Sequence, residues 1–255
     1  MNLHTSRKFF IIAFLLLVAS TITACKRNGN QCSDNPNILL FTGTGTSPND
    51  VDAIETILNS DSEFNYCTVD AEQLNTMSEA QLRAYRLLII PGGNFINIGK
   101  SLTSNTAANI RNAVHNGLNY LGICAGGFLA GNSSYYNGIN LTSGVTFNFY
   151  SAENQGIRKA AVPIASPGAP TLEQYWEDGP QFSGWGAVAG RYPNGTPAIA
   201  EGTFGNGWII LTGIHAEAPE NWRRGMTFNT PASTDNAYAA MLIRAALNRT
   251  ELPHY

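Results

Sequence analysis

The sequence predicts an α/β fold, a mostly parallel sheet flanked by helices. Apolar runs of strand length alternate with helical patterns through the first half of the 255 residues, the order that covers both faces of a sheet with helices. These runs stop abruptly at turn residues, as Leu87-Leu88-Ile89-Ile90 does at Pro91-Gly92-Gly93. Glycine is frequent, at 25 residues, and no internal repeat is visible, which fits a compact fold with many tight turns.

The first strand is read at 37–41. Ser47-Pro48-Asn49-Asp50 then opens a helix through Leu58, because Ser47 is a good N-cap and proline at the first helical position loses no hydrogen bond. Residues 64–69 read as a second strand and 78–85 as a short helix, with Thr76 and Glu79 spaced as a capping box. A buried strand follows at 87–90, an amphipathic helix at 106–114 and a strand at 119–123. The second half has short strands around Thr146, Ala161 and Val188, separated by loops rich in glycine, proline and aromatics. Residues 198–202 and 208–212 bracket Phe204-Gly205-Asn206-Gly207, a hairpin signal, and 235–247 close the chain as a helix. Ligands of open α/β sheets gather outside the carboxyl ends of the strands. Gly92-Gly93, Cys124 and the segment after Thr212 are expected there.

Ahead of this fold, Arg7 and Lys8 precede an apolar run at 9–18. The run is far short of the roughly 20 residues that span a membrane. It reads as a secretory signal peptide over residues 1–24. Ile22-Thr23-Ala24-Cys25 resembles a bacterial lipobox, which implies cleavage before Cys25 and its lipidation. Residues 25–36 then form a polar tether and 37–255 one domain. Several acyl chains, at about 0.8 kcal/mol per buried CH₂, make a firm anchor. Lys26 stands where some Gram-negative bacteria read aspartate as an inner-membrane retention signal, so the outer membrane, facing the periplasm, is expected. The formal net charge of −3, with 13% charged residues and no Lys/Arg cluster, argues against a nucleic-acid partner. In an oxidising compartment Cys32 and Cys67 are free to pair. Their Cα separation decides the matter, so a disulfide and two thiols both stay open. No Cys-x-x-Cys or His-x-x-x-His spacing occurs, so neither a metal nor a cofactor is expected.

Gly122-Ile123-Cys124-Ala125-Gly126 has the form of a nucleophile elbow, a tight strand-to-helix turn whose small neighbours let a substrate approach. A cysteine there sits at a helix N-terminus, where unpaired N–H groups and the dipole favour a thiolate. A buried structural cysteine is the other reading. The nucleophile needs a base, best oriented by a carboxylate, and Gly213-Ile214-His215-Ala216-Glu217 supplies both. His115 lies among polar residues of a helical pattern and reads as solvated; His4 falls in the leader and His254 at the C-terminus. Acyl transfer also needs oxyanion donors, and the N–H groups of Ala125 and Gly93 are the candidates. Thr42-Gly43-Thr44-Gly45-Thr46 lacks the phosphate-loop form and reads at most as a binding loop for a small polar group. Tyr175, Trp176, Phe182, Trp185 and Trp222 either wall a pocket or pack the core.

In this order, strand, Pro-Gly-Gly turn, Gly-x-Cys-x-Gly elbow and late His-x-Glu resemble class I glutamine amidotransferase-like domains, whose fold is flavodoxin-like. More narrowly, Thr44-Gly45-Thr46-Ser47-Pro48, Pro91-Gly92-Gly93, Gly122-Ile123-Cys124-Ala125-Gly126-Gly127, Asp178-Gly179-Pro180-Gln181-Phe182 and Gly213-Ile214-His215-Ala216-Glu217 resemble the biotin-protein ligase N-terminal domain family. The resemblance implies Cys124 as nucleophile, His215 as base, Glu217 as its orienting acid, and Gly93 with Ala125 as oxyanion donors. No Gly-Arg-Gly-Arg biotinyl-AMP loop occurs, so biotin transfer is not implied. The expected function is a lipid-anchored envelope enzyme, a cysteine hydrolase or amidotransferase-like protein acting through a thioester on an amide of a small molecule or peptide. The alternative is a non-catalytic lipoprotein that uses the same pocket to hold a ligand or partner. No particular protein partner is implied.

Overall fold

The computed structural model describes residues 32–150 and 158–255. The expected leader, Cys25 and the first part of the tether lie outside the described residues. The first half runs β1 (Ile38–Phe41), α1 (Pro48–Leu58), β2 (Tyr66–Val69), α2 (Ala71–Thr76), α3 (Glu79–Leu82), β3 (Leu87–Ile90), α4 (Phe95–Ser101), α5 (Ser104–His115), β4 (Asn119–Ile123) and α6 (Ala125–Ala130). Then come β5 (Asn148–Phe149), β6 (Lys159–Ile164), β7 (Leu172–Glu177), β8 (Pro180–Gln181), β9 (Ala187–Arg191), β10 (Pro197–Phe204), β11 (Gly207–Thr212) and α7 (Ala232–Asn248). Among the described residues no helix is long and apolar enough to cross a membrane.

Seven strands form the central sheet in the order β2-β1-β3-β4-β11-β10-β9. The first five are parallel, and β10 and β9 continue the sheet antiparallel. This is the α/β, flavodoxin-like arrangement with a two-strand antiparallel extension. Strand alternation sorts the core. Ile38 and Leu40 pack with Ile54 of α1 and Leu242 of α7, whereas Leu39 and Phe41 pack with Leu74 of α2, Ile110 of α5 and Leu129 of α6. All four β1 side chains are buried, as a strand covered on both faces requires. β6 and β7 form a separate hairpin, and β5 pairs with β8.

Several helix ends differ from the sequence expectation. Ser78, not Thr76, caps α3, and its capping box closes on Gln81 rather than Glu79. The missed helix α2 has its own box, Asp70 with Gln73. α5 begins earlier than expected because Thr103 caps it. Ser47 caps α1 with proline at its start, as the sequence predicts. The strand expected around Thr146 is the two-residue β5, and β7, β8 and α4 were not foreseen. Cys32 and Cys67 form a disulfide, with Cα atoms 4.1 Å apart. Together with Ser33 N–H donating to Tyr66 O at 2.9 Å, it holds the segment before β1 along the outer strand β2.

Candidate active site

The Cys124 elbow is formed by β4 running straight into α6. Cys124 adopts φ 47° and ψ −99°, a left-handed conformation that costs a non-glycine residue about 1–3 kcal/mol. Hydrogen bonds hold it there. Its N–H donates to Thr212 O at 2.8 Å on the neighbouring strand, and its carbonyl accepts from Gly127 and Phe128 at 2.9 and 3.2 Å. The side chain is 5% exposed, and Sγ lies 3.6 Å from the carbonyl oxygen of Glu177. It lines a cavity of about 480 Å³ at the carboxyl ends of the parallel strands, together with Ser47, Asp50, Gly93, Tyr175 and His215.

His215 follows β11 and is locked from three sides. Its N–H donates to Tyr175 O at 2.8 Å, tying the loop to β7. Asn236 of α7 donates to Ala216 O at 3.0 Å and Ala218 O at 3.3 Å. Tyr175 and Trp222 stand edge-on to the imidazole, each with ring centroids 5.9 Å from it. Trp222 is carried by a loop whose buried Arg223 lies 3.5 Å from Asp235 and stacks on Phe228.

Two carboxylates meet the same imidazole nitrogen. His215 Nδ1 is 2.8 Å from Glu217 Oε1 and 3.0 Å from Asp50 Oδ1, and all three side chains are buried. Nδ1 carries one hydrogen. With it directed to Glu217, Asp50 Oδ1 feels the imidazole charge but has no proton to accept. Burial pushes the imidazole toward neutrality, but Asp50, Cys124 and Glu217 outweigh it and hold the His215 pKa well above its ordinary value. Burial also opposes the Asp50 charge, yet His215 and a hydrogen bond from Ser47 bring that carboxyl below the usual range. Glu217 goes the other way, its pKa raised by burial against the pull of His215. Asp50 is therefore the firmer anion of the pair. Tyr175 hydroxyl donates to Glu177 Oε2, and burial together with that bond pushes the phenol above its ordinary range.

These three donor atoms lie within 4.8 Å of one another and are the buried candidates for a metal among the described residues. Ligand atoms on a tetrahedral ion with bonds near 2.1 Å are about 3.4 Å apart. Contacts of 2.8 and 3.0 Å suit a shared proton better than an ion.

Cys124, His215 and Gly93 are thus gathered at one cavity, and Glu217 is buried beside His215 without lining it. Gly93, with φ 141°, packs against the 44–47 loop, where an added Cβ would come 2.3 Å from Gly45 O. Ala125 is fully buried, and as the first residue of α6 its N–H has no intrahelical acceptor. Asp50 was missed. An acid in the first turn of a helix ordinarily reads as a dipole partner, and the signal lay in its place just beyond the carboxyl end of β1. The aromatic set divides: Tyr175 and Trp222 line the cavity, Trp176 and Phe182 are fully buried core, and Trp185 packs over Gly202. In loop 42–46 Thr46 Oγ1 donates to Gly43 O at 2.7 Å and Thr42 Oγ1 to Val69 O at 3.4 Å, and the loop buttresses Gly93. His115 is exposed, against Phe204.

Residues 36–158 match the family described as biotin-protein ligase, N terminal. This segment of the chain belongs to the biotin-protein ligase N-terminal family. The family segment supplies β1 to β4, Asp50, Gly93 and the Cys124 elbow, and three of the five resembling segments fall within it. Tyr175, His215, Glu217 and Trp222 lie beyond it. No curated protein matches the chain. Among solved structures the chain is similar to an exo-β-1,4-mannosidase from Opitutaceae bacterium strain TAV5, with TM-score 0.51 and 14% identity over 81% of this chain and 36% of that one. This likeness shows the fold alone, and the chain spans only about a third of the mannosidase's length. A cytoplasmic protein from Salmonella typhimurium is matched at TM-score 0.47 and 11% identity, over 82% of this chain and 98% of that one.

Proposed function

We propose that this chain is a cysteine-dependent enzyme of the hydrolase or amidotransferase-like kind, opening an amide of a small molecule or peptide through a thioester. The observation that carries the reading is the strained Cys124 elbow, at one cavity with an imidazole buried between two acids. Having given its proton to His215, whose imidazole the two acids keep charged, Cys124 Sγ attacks the amide carbonyl carbon. The acids occupy Nδ1, so Nε2 is the nitrogen left for the sulfur and the leaving group. The N–H groups of Gly93 and Ala125 stabilise the developing oxyanion. Collapse breaks the C–N bond, His215 protonates the departing amine, and water then attacks the thioester to release the acid and regenerate Cys124. Asp50 and Glu217 orient the imidazole and stabilise its charge. Lys159 and Arg224, with Glu177 and Asp178, give the cavity a polar lining suited to a polar amide.

We also propose export to the envelope with a lipid on Cys25. The leader pattern supports this, and so does the Cys32–Cys67 disulfide, a bond that persists in oxidising compartments.

The test is iodoacetamide labelling of the detergent-solubilised chain, followed by mass spectrometry of the Cys124 peptide. Labelling at pH 7 is expected to fall at least tenfold in His215→Ala and to vanish in Cys124→Ala. Slow labelling that His215→Ala leaves unchanged refutes the catalytic pair and favours a binding lipoprotein.

A further inference from the structure

The candidate active site leaves a second cavity unused. A pocket of about 250 Å³ lies between the β6–β7 hairpin and the start of α7, lined by Ile164, Pro170, Leu172, Gln174, Thr234 and Tyr238 among others. Its mouth is open, because Pro170 and Thr234 are exposed. Gln174 is 0% exposed, and neither its Oε1 nor its Nε2 has a hydrogen-bond partner. Burying a carboxamide with both ends unpaired is costly, and an apolar residue of similar volume would avoid the cost. Strand alternation explains the placement: Tyr175 and Glu177 of β7 line the Cys124 cavity, while Leu172 and Gln174 line this one. The strand is held rigid, with Glu173 N–H donating to Thr230 Oγ1 at 3.1 Å and Asn229 Nδ2 to Glu173 Oε1 at 2.7 Å.

We propose that this pocket binds a small, largely apolar molecule that presents a neutral amide edge to Gln174. Gln174 lies closed under the pocket wall, and a turn of its side chain into the pocket offers one acceptor and one adjacent donor, the complement of an amide's N–H and C=O. None of the lining side chains carries a charge, so an ionised group would be desolvated without a partner. The volume is below the roughly 300–1,000 Å³ of drug-sized sites, which limits the occupant to about one ring with its amide. The site is independent of any chemistry at Cys124.

Benzamide is the probe, titrated into the nitrogen-15-labelled full chain in detergent. Saturable shifts are expected at the backbone amides of Ile164, Leu172, Gln174, Thr234 and Tyr238, with a Kd of about 1 mM for so small a ligand. Benzoate is expected to bind at least tenfold more weakly, as is benzamide to Gln174→Leu. Cys124→Ala is expected to bind as the wild type does, which separates this pocket from the other. Gln174→Leu is expected to raise Tm, because it removes an unpaired buried amide. The proposal is overturned if the shifts are absent or confined to the Cys124 cavity, if Gln174→Leu binds undiminished, or if that variant lowers Tm. Crystals soaked in benzamide that show only ordered water on Gln174 overturn it as well.

Discussion

Gly92→Ala is the sharpest perturbation of the candidate active site that leaves every polar group in place. A Cβ at Gly92 would lie 2.1 Å from Asp50 Oδ1 and 2.6 Å from His215 Cε1. Non-bonded contacts of this kind need roughly 3.2–3.5 Å, so the carboxylate must retreat by about 1 Å and the ring by somewhat less. Neither has room, since Asp50 is 6% and His215 4% exposed. Overpacking of this sort costs about 1–3 kcal/mol, or roughly 2–12 °C in Tm for a chain of this size. A displacement near 1 Å at a base costs on the order of 100-fold in rate. Cys124 labelling is therefore expected to fall far more than stability does. Gly117→Ala is the control. It has nothing within 4 Å of the added Cβ but φ 116°, so it pays backbone strain of about 1 kcal/mol without touching the site. If Gly92→Ala labels at the wild-type rate and remains dependent on His215, the packing of Gly92 against Asp50 and His215 has no bearing on reactivity and the reasoning fails.

Asp50→Asn removes the anion that holds His215 charged, and Cys124 labelling at pH 7 is expected to drop about tenfold. Its effect on stability has a defined window. The wild-type attraction is present above the depressed Asp50 pKa and below the raised His215 pKa, so unfolding midpoints across pH 5–8 should fall in the variant and converge with wild type at the extremes. Glu201 behaves in the opposite sense. Burial raises it to about 7, so the folded state favours its protonated form and stability is lost as pH rises from 4.5 through 7. Glu201→Gln is expected to gain about 1–2 kcal/mol at pH 8 and nothing at pH 4, less than the full shift implies because solvent at the exposed His254 and Glu251 screens the site. Chemical denaturation at the two pH values measures this. Cys32→Ser with Cys67→Ser opens a loop of sequence separation 35 and is expected to cost about 3–4 kcal/mol, visible as a lower denaturant midpoint. Cys25→Ser is expected to move the protein from the membrane to the soluble fraction on cell fractionation, and an unchanged distribution would refute lipid attachment.

The strands β1 and β3 were legible because a strand covered on both faces is apolar at every position, a pattern that needs no knowledge of its neighbours, and β4 departs from it only at Asn119. The Ser47 cap and the β10–β11 hairpin were legible for the same reason, since their signals are local. Helices α2 and α4 have six and seven residues and little periodicity, and each rests on a cap, Asp70 or Asn94, that is as common in loops. β7 hid because Glu173, Gln174, Tyr175, Trp176 and Glu177 mix polar and aromatic residues, one face turned to each cavity. Cys124, His215 and Glu217 could be read from their spacing and neighbours. Asp50 could not, because its contact with His215 exists only once the segments that follow β1 and β11, strands separated by β3 and β4 in the sheet, meet at one end of the fold.

Features that oppose stability gather at the two cavities. Cys124 holds a left-handed backbone that a glycine would adopt freely, although the hydrogen bonds from Gly127 and Phe128 and to Thr212 would equally hold a glycine there. Asp50, His215 and Glu217 bring ionisable groups into the interior with more acceptors than the one Nδ1 hydrogen can serve. Gln174 buries both ends of an amide unpaired on the opposite face of the adjoining strand. A fold selected for stability alone would place glycine, a single acid and leucine at these positions. The first two costs meet at one cavity, where the proposed thioester chemistry would use them. The third serves neither the core nor that chemistry, and it faces a pocket open to solvent. Of these costs only the one at Gln174 lies on β7, and the binding proposed for the second cavity would account for a carboxamide there.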